Sequence, residues 1–351
     1  MSMNYDLPLE RLLMHAAENA VSGSFPDRDL DAWNTYKQVK ASLDRDYFSH
    51  ANAGLAQSGG RYTRHDLRHV NDVILATGRV LGLNVGTDVS GFNTLTPYET
   101  YVLLLAILLH DAGNVHGRDQ HERRALMILN GLSDITNFGG PERKLVASIA
   151  QAHGGRDDVY GKDTIAKLLS NERFADLEIR PRLLAAALKL GDELSENPGR
   201  IDPTVLNSGK PEEALPHHWY CKTISVDIDH QGGRIGLSFY VPSTVLDTVM
   251  TWEEGQTGCF TDYIARRIEK TDRERRYCNR FLRKVAYFEG VRVRLEIVDE
   301  DDPAETVVLT ELFEFSDDGY PEPSIKKEDL FERFSGSRLK AELISGKGGK
   351  E

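Results

Sequence analysis

His110 and Asp111 stand side by side at the end of an unbroken apolar run, Tyr101 to Leu109, that reads Y-V-L-L-L-A-I-L-L. Taking an imidazole and a carboxylate out of water without partners is expensive, and a divalent metal satisfies both at once. Further ligands must then arrive from other parts of the chain. His69, well upstream, and Asp192, well downstream, are the candidates, each set among apolar neighbours on a predicted helix. His121 and His153 lie between the His-Asp pair and the last aspartate, and the same desolvation argument extends to them. His65 and His116 read instead as hydrogen-bonded core histidines, the commoner fate of a lone histidine among apolar residues.

The elements that must position these side chains are helices. Thr63 can cap a helix whose Leu67, Val70, Ile74 and Leu81 recur at three- and four-residue steps, with His65 and His69 four apart on one flank. Thr96, Pro97 and Glu99 spell a capping box, and the helix that follows is apolar on every side, which belongs in the centre of a core. Gly113 supplies a stop just past His110 and Asp111. Asp119 with Glu122 is placed to cap a helix to about Asn130, Pro141 opens one that runs to His153, and Pro181 opens the one that carries Asp192. Ahead of these, Leu12, Leu13 and Ala16, then Trp33, Tyr36, Val39 and Leu43, form an N-terminal helical layer over 1–59. The helical domain is read as 60–200.

This ordered set, His, then His-Asp, then Asp, resembles the HD superfamily of metal-dependent phosphohydrolases. The likeness rests on R-Y-T-R-H-D-L-R-H-V (61–70), L-L-H-D-A-G-N (108–114) and L-K-L-G-D-E-L (188–194), and covers roughly residues 60 to 200. It implies an HD-type helical bundle holding one or two divalent ions, manganese, iron, nickel, cobalt or zinc, on His69, His110, Asp111 and Asp192. Relatives with two metals use two intermediate histidines, here His121 and His153, with the HD aspartate bridging. Single-metal relatives use a His-Glu pair near this place to handle the proton, so His121 and Glu122 stand for either role beside Asp111. The implied reaction is attack of a metal-activated water on phosphorus. Arg64, Arg68, Arg118, Lys189 and Arg200 lie by sequence near the ligand segments and suit the substrate phosphate. The chain departs from many two-metal members at Asn114 and in having a single His153. Its motifs are also similar to bacterial HD modules found beside Hsp90-like ATPase domains.

The rest of the chain bounds this reading. At 351 residues, with 40% hydrophobic and 28% charged residues, it has room for a large domain and a smaller companion. A net charge of -12 disfavours a surface devoted to nucleic acid. Cys221, Cys259 and Cys278 show no C-x-x-C spacing, which suits a reducing compartment. With no signal-peptide pattern and no apolar run near the ~20 residues of a membrane span, a cytoplasmic protein is expected.

After about residue 200 the period changes to alternation. Ile224, Val226 and Ile228, then Ile235, Leu237 and Phe239 about Gly232-Gly233, form a hairpin; 260–288 is helical, and 291–298 and 306–315 are strands. The fold class is mainly α, an HD-type bundle followed by a small α+β domain over 201–335, with a flexible tail over 336–351. A basic strip spans 266–284; such runs are more often solvated helix faces than nucleic-acid tracks. The expected activity is hydrolysis of an ester bond in a nucleotide or related small phosphate ester. The alternatives are a nuclease or cyclic-nucleotide phosphodiesterase that uses the basic strip, and a regulatory HD module that keeps metal without turnover. A homo-oligomer is left open.

Overall fold

The computed structural model describes residues 6–20, 23–26, 31–51, 62–174, 176–206, 214–252, 255–302, 304–317 and 327–347. Arg61, parts of the N-terminal layer and the last four residues of the tail lie outside the described residues. The chain divides into two units, the first of residues 1–59, 64–195 and 278–286, the second of 60–63, 196–277 and 287–351. The N-terminal layer lies within the first unit, whose longest span ends at Ser195.

The first unit is helical. Helices α1 (Pro8–Glu18) and α2 (Ala32–Leu43) join α3 (Leu67–Val80), α4 (Pro97–Leu109), α5 (Ala125–Gly131), α6 (Gly140–Gln151) and α7 (Pro181–Glu193). Polar staples fix the outer layer: Glu10 on α1 accepts from Tyr36 Oη at 2.5 Å and from Lys40 Nζ at 2.6 Å, and Lys40 also reaches Asn71 on α3 at 2.7 Å. The core is α4, buried continuously from Tyr98 to Leu109, and it starts with the full capping box between Thr96 and Glu99. Glu99 does a second task. Buried at 1% exposure, it accepts from the Arg180 backbone at 3.0 Å and from Arg180 Nε at 2.8 Å, which fixes the start of α7 against the start of α4.

Three local expectations are corrected. The cap of α3 is Asp66, whose carboxylate accepts from the backbone of Arg68 and His69, so Thr63 has no capping role and His65 precedes the helix. Asp119 caps nothing; after Gln120 in the left-handed region the chain enters a 3-10 turn, His121–Arg124, and only then α5. Gly113 is not a left-handed stop. A Cβ there would lie 2.1 Å from the His121 carbonyl oxygen, so glycine is needed for two backbone segments to touch. A short antiparallel hairpin, β1 (Glu172–Phe174) with β2 (Leu177–Ile179), went unread because three-residue strands carry no period.

The second unit contains helix α8 (Leu215–Thr223) and a four-stranded sheet, β3 (Ile224–Asp229), β4 (Arg234–Pro242), β7 (Gly290–Val298) and β8 (Val307–Ser316), in that order. All neighbours are antiparallel except β4 and β7. A parallel pair needs a long crossover. It is supplied by the hairpin β5 (Val249–Trp252) with β6 (Gln256–Cys259) and by the 23-residue helix α9 (Phe260–Leu282). Ile235, Leu237, Phe239 and Val241 on β4 and Val291, Val293, Leu295 and Ile297 on β7 alternate inward and are buried. Two helices follow, α10 (Lys327–Arg333) and α11 (Gly336–Lys347). The tail expected to be flexible over 336–351 is thus helical to Lys347, because Leu339 is buried, Arg338 pairs with Glu311 at 2.9 Å and Lys340 pairs with Asp247 at 2.9 Å.

Candidate metal centre

Helices α3, α4 and α7 and the segments after α4 and α6 each deliver one or two polar groups to a common point in the first unit. His69 sits in the first turn of α3, His110 caps the C-terminal end of α4, and Asp111 follows it. His121 opens the 3-10 turn, His153 follows α6, and Asp192 lies one residue before the end of α7. Gly191 makes the last approach close: a Cβ there would be 2.1 Å from Thr77 Oγ1 and 2.8 Å from Thr77 Cα, so bare backbone lets α7 press onto α3 and brings Asp192 to His69.

Asp111 is the hub. Its Oδ2 lies 3.5 Å from His69 Nε2 and 3.5 Å from His110 Nε2, while its Oδ1 lies 3.0 Å from His121 Nε2 and 3.8 Å from His153 Nε2. Asp192 Oδ1 is 3.6 Å from both His69 Nε2 and His110 Nε2. Two donor groups result, His69 with His110 and Asp192, and Asp111 with His121 and His153, the ligand atoms in each lying within 4.8 Å of one another. Asp111 turns one oxygen toward each.

The rings are aimed by their own backbone. His110 Nδ1 meets the Ile107 carbonyl at 2.7 Å, His121 Nδ1 the Arg118 carbonyl at 2.9 Å and His153 Nδ1 the Ala150 carbonyl at 2.6 Å, each three residues earlier. A carbonyl only accepts, so Nδ1 carries the hydrogen and a neutral ring presents its Nε2 lone pair inward. His110 Nε2 is buried and has no hydrogen-bond partner among the described residues. Lone pairs facing carboxylate oxygens repel unless a cation stands between them. This donor set therefore fits a divalent ion.

Asp111 and Asp192 draw positive charge to this point, a proton on His110 where no ion takes its place. Burial pushes His110 down, but Asp111 and Asp192 outweigh it and raise the ring to about 9. Burial, reinforced by His110, holds His153 down at about 3. Burial favours the neutral acid at Asp111, yet the charges and hydrogen bonds of the surrounding histidines hold its carboxyl well below the usual range. Asp192 is likewise lowered, with His110 overcoming burial.

The remaining candidates fall in different places. Glu122 is buried, with Oε2 3.5 Å from His121 Nδ1. Arg118 is exposed and donates to His65 Nε2 at 3.2 Å, and Lys189 Nζ donates to the His153 carbonyl at 2.7 Å. Arg64 is half-buried and Arg68 exposed. Arg200 is not with this group: it is buried in the second unit and paired with Glu196 at 2.8 Å. His116 is exposed, not a core histidine. His65 is buried and hydrogen-bonded, as expected of it, and it also lies beside this group, with Nε2 3.7 Å from Asp111 Oδ2; its four-residue offset from His69 was the signal for that place. Arg124, near the ligand segments by sequence, holds the turn after Asp111 by donating to the carbonyls of Gly113 at 3.0 Å and Gly117 at 3.1 Å.

The basic strip on α9 is largely spoken for. Arg275 is fully buried and pairs with Asp272 at 2.7 Å and Asp317 at 2.8 Å; Arg276 reaches Asp272 at 2.8 Å, Lys270 reaches Glu274 at 3.4 Å, and Arg280 reaches Asp163 at 3.3 Å. Among the described residues, no helix is long and apolar enough to cross a membrane.

Against known proteins, the family model HD-CE matches residues 60–270, more than half of the chain. No curated protein matches it.

Proposed function

The chain belongs to the HD-CE family, and on that premise we propose that it is a metal-dependent phosphohydrolase acting on a nucleotide or a related phosphate ester. His69, His110, Asp111 and Asp192 would hold one divalent ion, and Asp111, His121 and His153 a second. When bound, such ions supply the Lewis acidity that activates water and offsets the charge gathering on a phosphoryl group. Asp111 positions both groups through its two oxygens. His121 keeps its Nδ1 hydrogen on the Arg118 carbonyl, and Glu122 Oε2 beside that ring is the acceptor for the proton released from water. Arg64, Arg68, Arg118 and Lys189 provide cationic or donor groups for the substrate phosphate. Arg200 is left out of this set because its guanidinium is committed to Glu196.

The single observation that carries the reading is the placement of Asp111 between two groups of nitrogen and oxygen donors, with Oδ2 toward His69 and His110 and Oδ1 toward His121 and His153. An all-imidazole and carboxylate donor set suits manganese, iron, cobalt, nickel or zinc. The test is metal analysis of the purified protein, then a screen with added manganese, nickel or cobalt against deoxynucleoside triphosphates, monophosphates, cyclic nucleotides and short oligonucleotides. Turnover that chelation abolishes and metal restores is expected. Bound metal with no turnover in any arm would replace the proposal with a regulatory module, and turnover confined to oligonucleotides or cyclic nucleotides would move the substrate class.

A further inference from the structure

The second unit contains another convergence of metal-ligand types, independent of the centre around Asp111. His217 and Cys221 are four apart on α8, one turn on the same face, and Glu196 is brought to them from the segment after α7. Cys221 Sγ lies 3.0 Å from Glu196 Oε2 and 3.9 Å from His217 Nε2, and His217 Nε2 lies 3.2 Å from Glu196 Oε1. Cys221 is fully buried, and Glu196 is 7% exposed. The His217 side chain, 23% exposed, gives the group a side open to solvent. All three residues fall inside the family match, which continues past the helices of the first unit to residue 270.

From these distances we infer that Glu196, His217 and Cys221 form a second metal site, for a borderline-soft divalent ion such as zinc or cobalt. A tetrahedral ion with bonds of about 2.0–2.3 Å to nitrogen, oxygen and sulfur sets its ligand atoms about 3.3–3.6 Å apart. The three observed separations bracket that range, so small side-chain shifts complete the site. The supporting shell is present. His217 Nδ1 is 3.1 Å from Tyr263 Oη, and a phenol can accept a ring hydrogen as readily as donate one, so it serves the tautomer whose Nε2 lone pair faces the ion. Arg200 is 2.8 Å from Glu196 Oε2 and Arg267 is 3.6 Å from Glu196 Oε1. Each carboxylate oxygen has two lone pairs, so the arginines can stay on the carboxylate while it also ligates.

Binding exchanges the Cys221 thiol proton for the ion, forming an S–metal bond and releasing that proton to solvent. The exchange adds one positive charge beside two fixed guanidinium groups. Three protein ligands leave a fourth position, which a solution anion, chloride or phosphate, fills to balance it.

The centre around Asp111 contains no sulfur, so the two sites separate spectroscopically. The full-length protein is titrated with cobalt(II) in phosphate or chloride buffer and followed in the near ultraviolet for thiolate-to-cobalt charge transfer. With cobalt in excess of all the sites the band should reach the intensity of a single thiolate-bound ion, and zinc should bleach it. Cys221→Ser should abolish the band and remove one equivalent of bound zinc, while Cys259→Ser, Cys278→Ser and Asp111→Ala keep it. No band in the wild-type protein, or a band that survives Cys221→Ser, overturns the proposal. His217→Gln, checked for native circular dichroism, guards against misfolding of the cysteine variant: a full band in it counts equally against the site.

Discussion

Asp111 in the first unit and Glu196 in the second are carboxylates taken almost wholly out of water, at 6% and 7% exposure, yet their partners differ in kind. Asp111 meets five imidazole rings, from His65, His69, His110, His121 and His153. Glu196 meets two guanidinium groups, from Arg200 and Arg267, as well as His217 and Cys221. Imidazole is neutral or charged as conditions require, so the first group depends on what cation enters it. A guanidinium is always charged, so the second carboxylate is already paired by the fold, and an ion entering there is balanced instead by the Cys221 thiolate and a solution anion. The same logic recurs at Arg275, where a fully buried cation is held by Asp272 and Asp317. In this chain, imidazole rings surround the buried carboxylate of the first unit, while arginines pair with Glu196 and Asp272 in the second.

The largest expected effect breaks the first arrangement at its hub. Asp111→Ala removes both oxygens, so metal content in the first unit should fall to background and turnover by about 10³-fold or more, with the helical circular dichroism unchanged. Retained turnover would show that the rings alone suffice and would end the contrast.

Arg275→Gln tests the other side. Removing one partner of a buried ion pair leaves charge unpaired, so chemical denaturation should report a loss of about 3–5 kcal/mol while metal content of the first unit stays the same. This change also has a pH signature. The hydrogen bond from Arg275, against some burial, holds the Asp317 carboxyl below its ordinary value of 3.8. A lowered carboxyl stabilises the fold above its ordinary pKa, and that contribution is lost as pH falls through the lowered one. The wild-type protein should therefore lose more stability below about pH 4 than Arg275→Gln does. A parallel acid limb in both would remove Asp317 from the argument.

Gly191→Ala should cost about 1–3 kcal/mol by forcing a methyl group against Thr77, and it should weaken metal binding by moving Asp192 away from His69. Normal affinity would mean that α7 does not need its close seat on α3. The smallest change is expected from Arg276→Ala. Its side chain is 50% exposed, so stability should move by less than about 1 kcal/mol, and turnover of a small substrate should not move at all.

The His/Asp cluster of the first unit that could hold a metal was legible because polar residues inside apolar helices are conspicuous: His69, His110, Asp111 and Asp192 each interrupt a hydrophobic pattern. The capping box at Thr96 and the sheet hairpin about Gly232-Gly233 were legible for similar local reasons. The approach of His65 to Asp111 was not, because it depends on α3 starting at Leu67 and leaving His65 ahead of the helix. The group at Glu196 was invisible, since its carboxylate comes from a different segment than the ring and thiol that α8 carries one turn apart. Arg275 was hidden in a run of charges that looks solvated until Asp317 arrives from beyond β8 to meet it. Tertiary partners decided each of these, and a local pattern does not encode them.

The bonds from His110, His121 and His153 to the carbonyls three residues before them carry an evolutionary consequence. Since main chain rather than neighbouring side chains sets the angle of each imidazole, the side chains packed around them can be exchanged without detuning the rings. Variation around the cluster is then compatible with unchanged ring angles.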